Sequence, residues 1–472
     1  MPWRRLEAAV RMTAGWRSTR VGRQLLGGMR SETGMLRRLV NIGHLLSGNA
    51  VSGLVALVGI AIVARSLGTS SYGILALIIS YCRMVERVAR FESWQPLIKY
   101  AAGVEGEGAA ERLRLLYGFG LRLDIAACLI AACAASALAT LFGPWIGLGQ
   151  AEIHLIYIYS LALAFNVNGM PTSVLRLGGK YRTIAYVQVL GNVIRVGWCL
   201  VGLWRGASLE FFVWAWTGSQ IAGSLIFLAF AWAELRRQGV RGVLTVPFRG
   251  ITAQFPGIMG FAWSSNLSMT LRSSAHDIDV LVVGWLAGPA AAGLYYIAKR
   301  FATLVQQINA QVQAVLYPDV ARMWVAGKVA AFVQAIAQIQ TLLAAFCGVV
   351  FFAVLFFGHW LILLGPGEQF LAAKPLLLVQ IVAVWLTAHS APSRTAMLAM
   401  GMQRSALTIT FVGTIVFQVA LFGLVPVMGP MGANVAHVLL ALICAVGMDY
   451  RVRQGSRLRS AELSDAQRVG EG

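Results

Sequence analysis

Blocks of apolar residues, each roughly 20 long, recur along this sequence from residue 42 to residue 448, with short polar connections between them. A helix rises about 1.5 Å per residue and the hydrocarbon layer is about 30 Å thick, so each block is long enough to span a bilayer. No stretch alternates over ten residues as the strands of a membrane barrel do. The pattern predicts an all-α polytopic membrane protein with about 12 transmembrane helices. They fall at 42–65, 72–100, 117–142, 152–175, 183–203 and 211–233, then at 258–286, 292–318, 332–357, 374–399, 405–427 and 430–449.

Charge sorts the connections into two sets. Loops 101–116, 176–182, 234–257, 319–331 and 400–404, with both ends of the chain, hold most of the connecting Lys and Arg. The alternate loops (66–71, 143–151, 204–210, 287–291, 358–373 and 428–429) hold Arg205 and almost no other, apart from Arg65 and Lys374 at their borders. Basic residues collect on the cytoplasmic side, so an even number of spans with both termini cytoplasmic satisfies every loop. The expected organisation is a basic tail 1–41, a six-helix lobe 42–233, a linker 234–257, a second six-helix lobe 258–449 and a basic tail 450–472. The N-terminal tail carries nine arginines against Glu7 and Glu32 without an apolar run behind its first charges, so it does not read as a secretory signal. Trp3, Leu6 and Val10 suit a short helix on an anionic leaflet; a disordered tail fits as well.

Polar residues inside the apolar blocks are the candidate chemistry. Arg83, Glu86, Arg87 and Arg90 follow one another at helical spacings of three and four and share a face of the second span. A charge at mid-bilayer costs about 2.5–3.5 kcal/mol, so four facing lipid would cost about 10 kcal/mol. Either the stripe faces a wet interior, or Glu86 neutralises Arg83 and Arg90 one turn away, or the arginines snorkel at a shallow depth. Arg87 has no second acid at ideal spacing, which favours a surplus of positive charge. In the eighth span Arg300, Gln307 and Gln311 form another stripe, beside Lys299 and Gln306. In the seventh, Arg272, His276 and Asp279 share a face, with Asp277 on another. Arg272 and Asp279 suit a structural ion pair; Asp277, Asp279 and Glu86 are the carboxylates to consider for ion coupling. Arg122, Asp124, Arg195 (near Gln188 and Asn192) and Arg394 are equally placed to reach an interior, to snorkel or to cap a helix.

Composition agrees. The 472 residues are 58% hydrophobic and 12% charged, far from a soluble protein. The net charge of +20 then follows from topology, and nucleic acid is not an expected partner. Cys82, Cys128, Cys133, Cys199, Cys347 and Cys444 lie within or beside apolar segments without a CxxC and read as packing residues. The histidines show no ligand spacing, so neither metal nor cofactor is expected, although a proton or sodium gradient is a candidate energy source. No P-loop, nucleophile elbow or carboxylate pair in a soluble loop points to an enzyme.

The two halves echo each other about 220 residues apart. Leu67-Gly-Thr-Ser-Ser-Tyr-Gly73-Ile74 aligns with Ala287-Gly-Pro-Ala-Ala-Ala-Gly293-Leu294, and Pro171 through Gly179-Lys-Tyr-Arg182 with Pro392 through Gly401-Met-Gln-Arg404. Two parallel six-helix lobes, related by an axis along the membrane normal, would enclose a central cavity between them.

Asn49-Ala50 … Ala64-Arg65-Ser66-Leu67-Gly68 … Tyr72-Gly73 resembles the opening of bacterial polysaccharide flippases of the O-antigen and exopolysaccharide type. Asp279 to Gly288, Gly293-Leu-Tyr295 and Ala298 resemble their seventh and eighth helices, and Gly401-Met-Gln-Arg404 their tenth-helix turn. The resemblance, over about 42–450, also marks a superfamily containing multidrug exporters and the lipid II flippase. It implies a V-shaped pair of lobes in the bacterial inner membrane and alternating access. It also implies an undecaprenyl-diphosphate-linked oligosaccharide as cargo, with a polysaccharide polymerase and chain-length machinery as partners. The lumenal cation role it implies falls on Arg83, Arg87, Arg90, Arg272 and Arg300, beside Gln307 and Gln311. Guanidinium forks suit phosphate oxygens. A cation-coupled multidrug exporter is the alternative within the superfamily, and would be expected to show acidic residues in the lumen. An integral-membrane glycosyltransferase, polymerase or ligase is the alternative from another class, and would be expected to carry a large external loop.

Overall fold

The structure, a computed structural model, describes residues 20–470 apart from 91–92, 105, 107, 145–148, 247–250, 261 and 264–274. Side chains are described from residue 48, save 50, 252–253, 275–277, 308, 310–319, 321, 463–464 and 466–470. Every regular element among the described residues is helical. Helix α1, Arg20–Ala89, holds the first two predicted spans as limbs on either side of Gly68, whose φ of 72° only glycine adopts readily. Then come α2 (Trp94–Ala101), α3 (Ala109–Phe142), α4 (Gln150–Ala164), α5 (Gly169–Leu177), α6 (Tyr181–Arg205) and α7 (Leu209–Arg237). The second half comprises α8 (Ala275–Ala287), α9 (Pro289–Val325), α10 (Val329–Leu364), α11 (Ala373–Ala399), α12 (Gln403–Met428) and α13 (Pro430–Gly470).

Nine helices among the described residues are long and apolar enough to cross a membrane. The difference from twelve has local causes. The first of the nine runs across Gly68 and so holds two predicted spans. The seventh predicted span begins outside the described residues, leaving the short α8. The eighth, α9, is 37 residues long but carries the polar stripe on Lys299, Arg300, Gln306 and Gln307. Several predicted ends also shift. The second span stops at Ala89 and re-forms as α2, and the fourth is interrupted between α4 and α5. Helix α1 starts well before residue 42, and α13 continues well beyond 449.

The apolar packing is divided unequally along the bundle. Near the Gly68 and Gly288 turns one continuous core joins the two halves, with Val63, Tyr72 and Ile79 against Val283, Tyr295 and Phe370. At the opposite end there are two cores. One holds Leu97, Leu116, Met170 and Leu235 of the first half; the other holds Phe332, Leu343, Met397 and Val452 of the second. The lobes are therefore fused by hydrophobic burial at one end and packed separately at the other.

The sequence repeat makes the fused end. Gly288, at φ 87°, precedes Pro289, which starts α9 where its missing N–H costs nothing. Gly73 and Gly293 then meet across the pseudo-axis. A Cβ on Gly73 would lie 1.8 Å from the Pro289 carbonyl oxygen, and one on Gly293 2.4 Å from that of Thr69. The Arg65 guanidinium reaches across to the C-terminus of α10, donating to the carbonyls of Leu363, Leu364 and Gly365 at 2.7, 2.6 and 2.6 Å. Carbonyls at a helix C-terminus lack intrahelical donors and carry partial negative charge, so a cation completes them.

Candidate functional site

Below the fused end two polar cavities adjoin. The first, about 400 Å³, lies between the lobes and is lined by both limbs of α1, by α6 and α7, and by α9. Arg83, Arg195 and Arg300 face it, with Tyr72, Asn192 and Gln307. The second, about 440 Å³, lies within the first lobe and shares Ser52, Arg83, Gln188, Asn192 and Arg195 with the first. Arg90, Asn168 and Arg176 complete its polar wall. No Asp or Glu lines either cavity among the described residues.

Arg195 sits where the cavities meet. It donates to Ser219 Oγ (3.1 Å), Asn192 Oδ1 (3.3 Å) and Gln220 Oε1 (3.4 Å) and lies over the Trp216 ring, 5.0 Å from its centroid. Asn192 in turn donates to Ser52 Oγ at 2.6 Å, tying α6 to α1. A guanidinium held by neutral acceptors and an aromatic face keeps its full positive charge for a further anionic partner. Across the gap, Arg300 lies 4.7 Å over the Tyr296 ring and donates to its hydroxyl. Arg300 Nε and the fully buried Tyr72 hydroxyl have no hydrogen-bond partner among the described residues.

The break between α4 and α5 supplies the floor of the inner cavity. Asn166 and Asn168 occupy it, and Glu86 accepts from Asn166 and from Arg90 (3.1 Å). Glu86 itself lines neither cavity. The buried N–H groups at the start of α5, which lack intrahelical acceptors, are met by Asp124, which accepts from Met170 N at 2.6 Å and from Ser93. A carboxylate at a helix N-terminus satisfies orphan donors and the helix dipole together. Gly169 is required here, because a Cβ would collide with the Ser93 hydroxyl and the Asp124 carboxylate.

The predicted site residues thus separate into groups. Arg83, Arg90, Arg300 and Gln307 line cavities. Arg87 lines neither. Asp279 is fully buried inside the second lobe, with Lys299 Nζ 2.7 Å from both its oxygens, Tyr295 OH at 2.6 Å, His437 Nε2 at 2.8 Å and Val280 N at 2.8 Å. Arg272 lies outside the described residues, as do the side chains of Gln311, His276 and Asp277. Sequence reasoning gave no special weight to Arg195, although Gln188, Asn192 and Arg195 are spaced four and three apart and form a stripe like that on α1. Among the described residues no group of three or more His, Cys, Asp or Glu is placed to hold a metal ion, and all six cysteines are free thiols.

Two helical lobes, fused at one end and enclosing polar, cation-lined space in a membrane-spanning bundle, define an integral-membrane protein with a two-lobe transporter fold. The chain belongs to the polysaccharide biosynthesis protein family, whose model matches residues 62–375. Inner membrane protein YghQ of Escherichia coli (strain K12) is 26% identical over 291 residues, 61% of this chain and 82% of its own length. The lipid II flippase MurJ in an inward closed conformation superposes with a TM-score of 0.69, at 12% identity, over 88% of this chain and 90% of that one. An inward-facing multidrug resistance MATE family transporter of the MOP superfamily gives 0.67, at 15% identity, over 87% and 96%. At these identities the two structures share the fold.

Proposed function

We propose that this protein carries an undecaprenyl-diphosphate-linked oligosaccharide across the bacterial inner membrane by alternating access, for surface polysaccharide synthesis. It acts as a carrier, not an enzyme, with both termini cytoplasmic. The observation that carries this reading is the lining of the inter-lobe cavity: three arginines from three helices and, among the described residues, no carboxylate. Such a space attracts a diphosphate and repels the cationic cargo expected of a cation-coupled multidrug exporter. Family membership and the likeness to a lipid II flippase support the lipid-linked cargo. The fused end is the side poor in Lys and Arg in its loops, so the positive-inside rule puts it at the periplasm. In this reading the cargo is loaded from the cytoplasmic end, where the two lobes have separate cores.

The test is a deletion strain complemented by Arg83→Ala, Arg195→Ala and Arg300→Ala, scored for lipid-linked glycan reaching the outer leaflet. A charge-assisted hydrogen bond contributes about 1.5–3 kcal/mol, so each loss is expected to cut transport by about 10- to 100-fold at unchanged membrane insertion. Lys at the same positions gives intermediate values, because charge is kept and the fork lost. Full transport by all three Ala variants rejects the reading.

A further inference from the structure

The two cavities differ in chemistry as well as place. The inter-lobe cavity shares Ser52, Gln188 and Asn192 with the inner one and adds Asn49 and Gln307, but its charge comes from Arg83, Arg195 and Arg300, and the Tyr72 hydroxyl and Arg300 Nε have no hydrogen-bond partner among the described residues. Those suit anionic oxygens. The inner cavity carries Arg83, Arg90, Arg176 and Arg195 too, and adds side-chain amides and hydroxyls that the other lacks, among them Asn168, Thr172, Gln220 and Ser224, each able to donate and to accept. Sugar hydroxyls are partners of that mixed kind. Ser224 is decisive: it lines this cavity, is only 6% exposed, and its Oγ has no hydrogen-bond partner among the described residues. A buried hydroxyl without a partner is costly, so one brought by a ligand is favoured. Beside it, Gly191 and Gly223 leave a flat floor, each within van der Waals reach of the other's Cα were a Cβ added. Phe227 adds an apolar edge. A volume of about 440 Å³ falls in the range of about 300–1,000 Å³ of small-molecule sites.

We infer that the inner cavity of the first lobe is a glycan subsite. It takes the sugar nearest the diphosphate, while the diphosphate itself spans Arg83, Arg195 and Arg300 at the junction and the polyprenyl chain leaves between the lobes. The inference rests on the lipid-linked reading above and adds where the sugar lies and which groups recognise it.

The experiment uses the full chain in nanodiscs and three probes: undecaprenyl diphosphate, undecaprenyl-diphosphate N-acetylhexosamine and undecaprenyl-diphosphate hexose, with affinities read by native mass spectrometry. The wild type is expected to hold at least one glycosylated probe about tenfold more tightly than the bare diphosphate. Ser224→Ala combined with Thr172→Val removes that preference and leaves the bare diphosphate within about twofold. Gly223→Val, whose Cβ would stand an ordinary 3.8 Å from the Gly191 Cα, does the same by volume. Arg300→Gln weakens all three probes together. Equal affinity of the wild type for all three probes, or a preference that survives both the double variant and Gly223→Val, overturns the glycan subsite. Failure of the wild type to bind any probe overturns the lipid-linked reading itself.

Discussion

Replacing Gly73 by alanine adds one methyl group where the lobes are fused. That carbon would stand 1.8 Å from the Pro289 carbonyl oxygen, 2.6 Å from its carbon and 3.1 Å from Gly293 N. All three are backbone atoms, so no side chain can swing away. Carbon–oxygen contacts settle at about 3.3–3.6 Å, so the helices must part by roughly 1.5 Å. Each lobe keeps its own core at the far end, and the strain falls on the fused end alone. Overpacking of this kind costs about 1–3 kcal/mol, equivalent to a 5- to 150-fold shift in population toward states with the fused end parted. A suitable reporter is Gln307→Cys, on an exposed residue lining the inter-lobe cavity, in a background lacking the native cysteines. A membrane-impermeant thiol reagent applied from the fused side should label it at least about fivefold faster in Gly73→Ala than in the parent. Gly293→Ala should act likewise, its Cβ lying 2.4 Å from Thr69 O. Unchanged labelling in both variants would refute the claim that backbone contact between the repeats closes this end.

Two other perturbations test separate parts of the structure. Arg65→Gln removes the cation from the α10 carbonyls, and because Arg65 is exposed the loss is held to about 1 kcal/mol; the same labelling assay should rise by about fivefold, with Arg65→Lys in between. Asp279→Asn leaves Lys299 without its buried counter-charge and should lower stability by about 3 kcal/mol, read as a fall in melting temperature in detergent. Asp279→Asn combined with Lys299→Met should recover much of that loss, whereas no recovery would show that the pair is not the source of it.

Much of this architecture was legible in the sequence because bilayers impose a simple rule. Apolar length and loop charge predicted a helical membrane bundle, the internal repeat predicted its two lobes and their turns, and the structure brings Gly73 and Gly293 of that repeat together. The stripe on Arg83 and Arg90 was equally plain, since helical spacing alone puts it on one face. What the sequence hid depends on distance along the chain. His437 lies 158 residues from the Asp279 it contacts, and no local pattern links them. Arg195 was visible as a stripe but looked like any snorkelling arginine until Trp216 and Gln220 were brought beside it. The break at Asn166–Asn168 was signalled by Asn166, Asn168, Gly169 and Pro171, but the apolar residues on either side together match the length of one span; Glu86 and Asp124 stabilise the interruption from other helices.

The polar groups of the two lobes are disposed in opposite ways. In the second lobe the strongest charges, Asp279 and Lys299, are locked against each other, whereas in the first they border the paired cavities. The first half thus lines both cavities, while the second contributes Tyr296, Arg300 and Gln307 to the inter-lobe one and keeps the buried Asp279 paired with Lys299. Substitutions around the cavities of the first half can then accumulate while the apolar contact that joins the two halves stays unaltered.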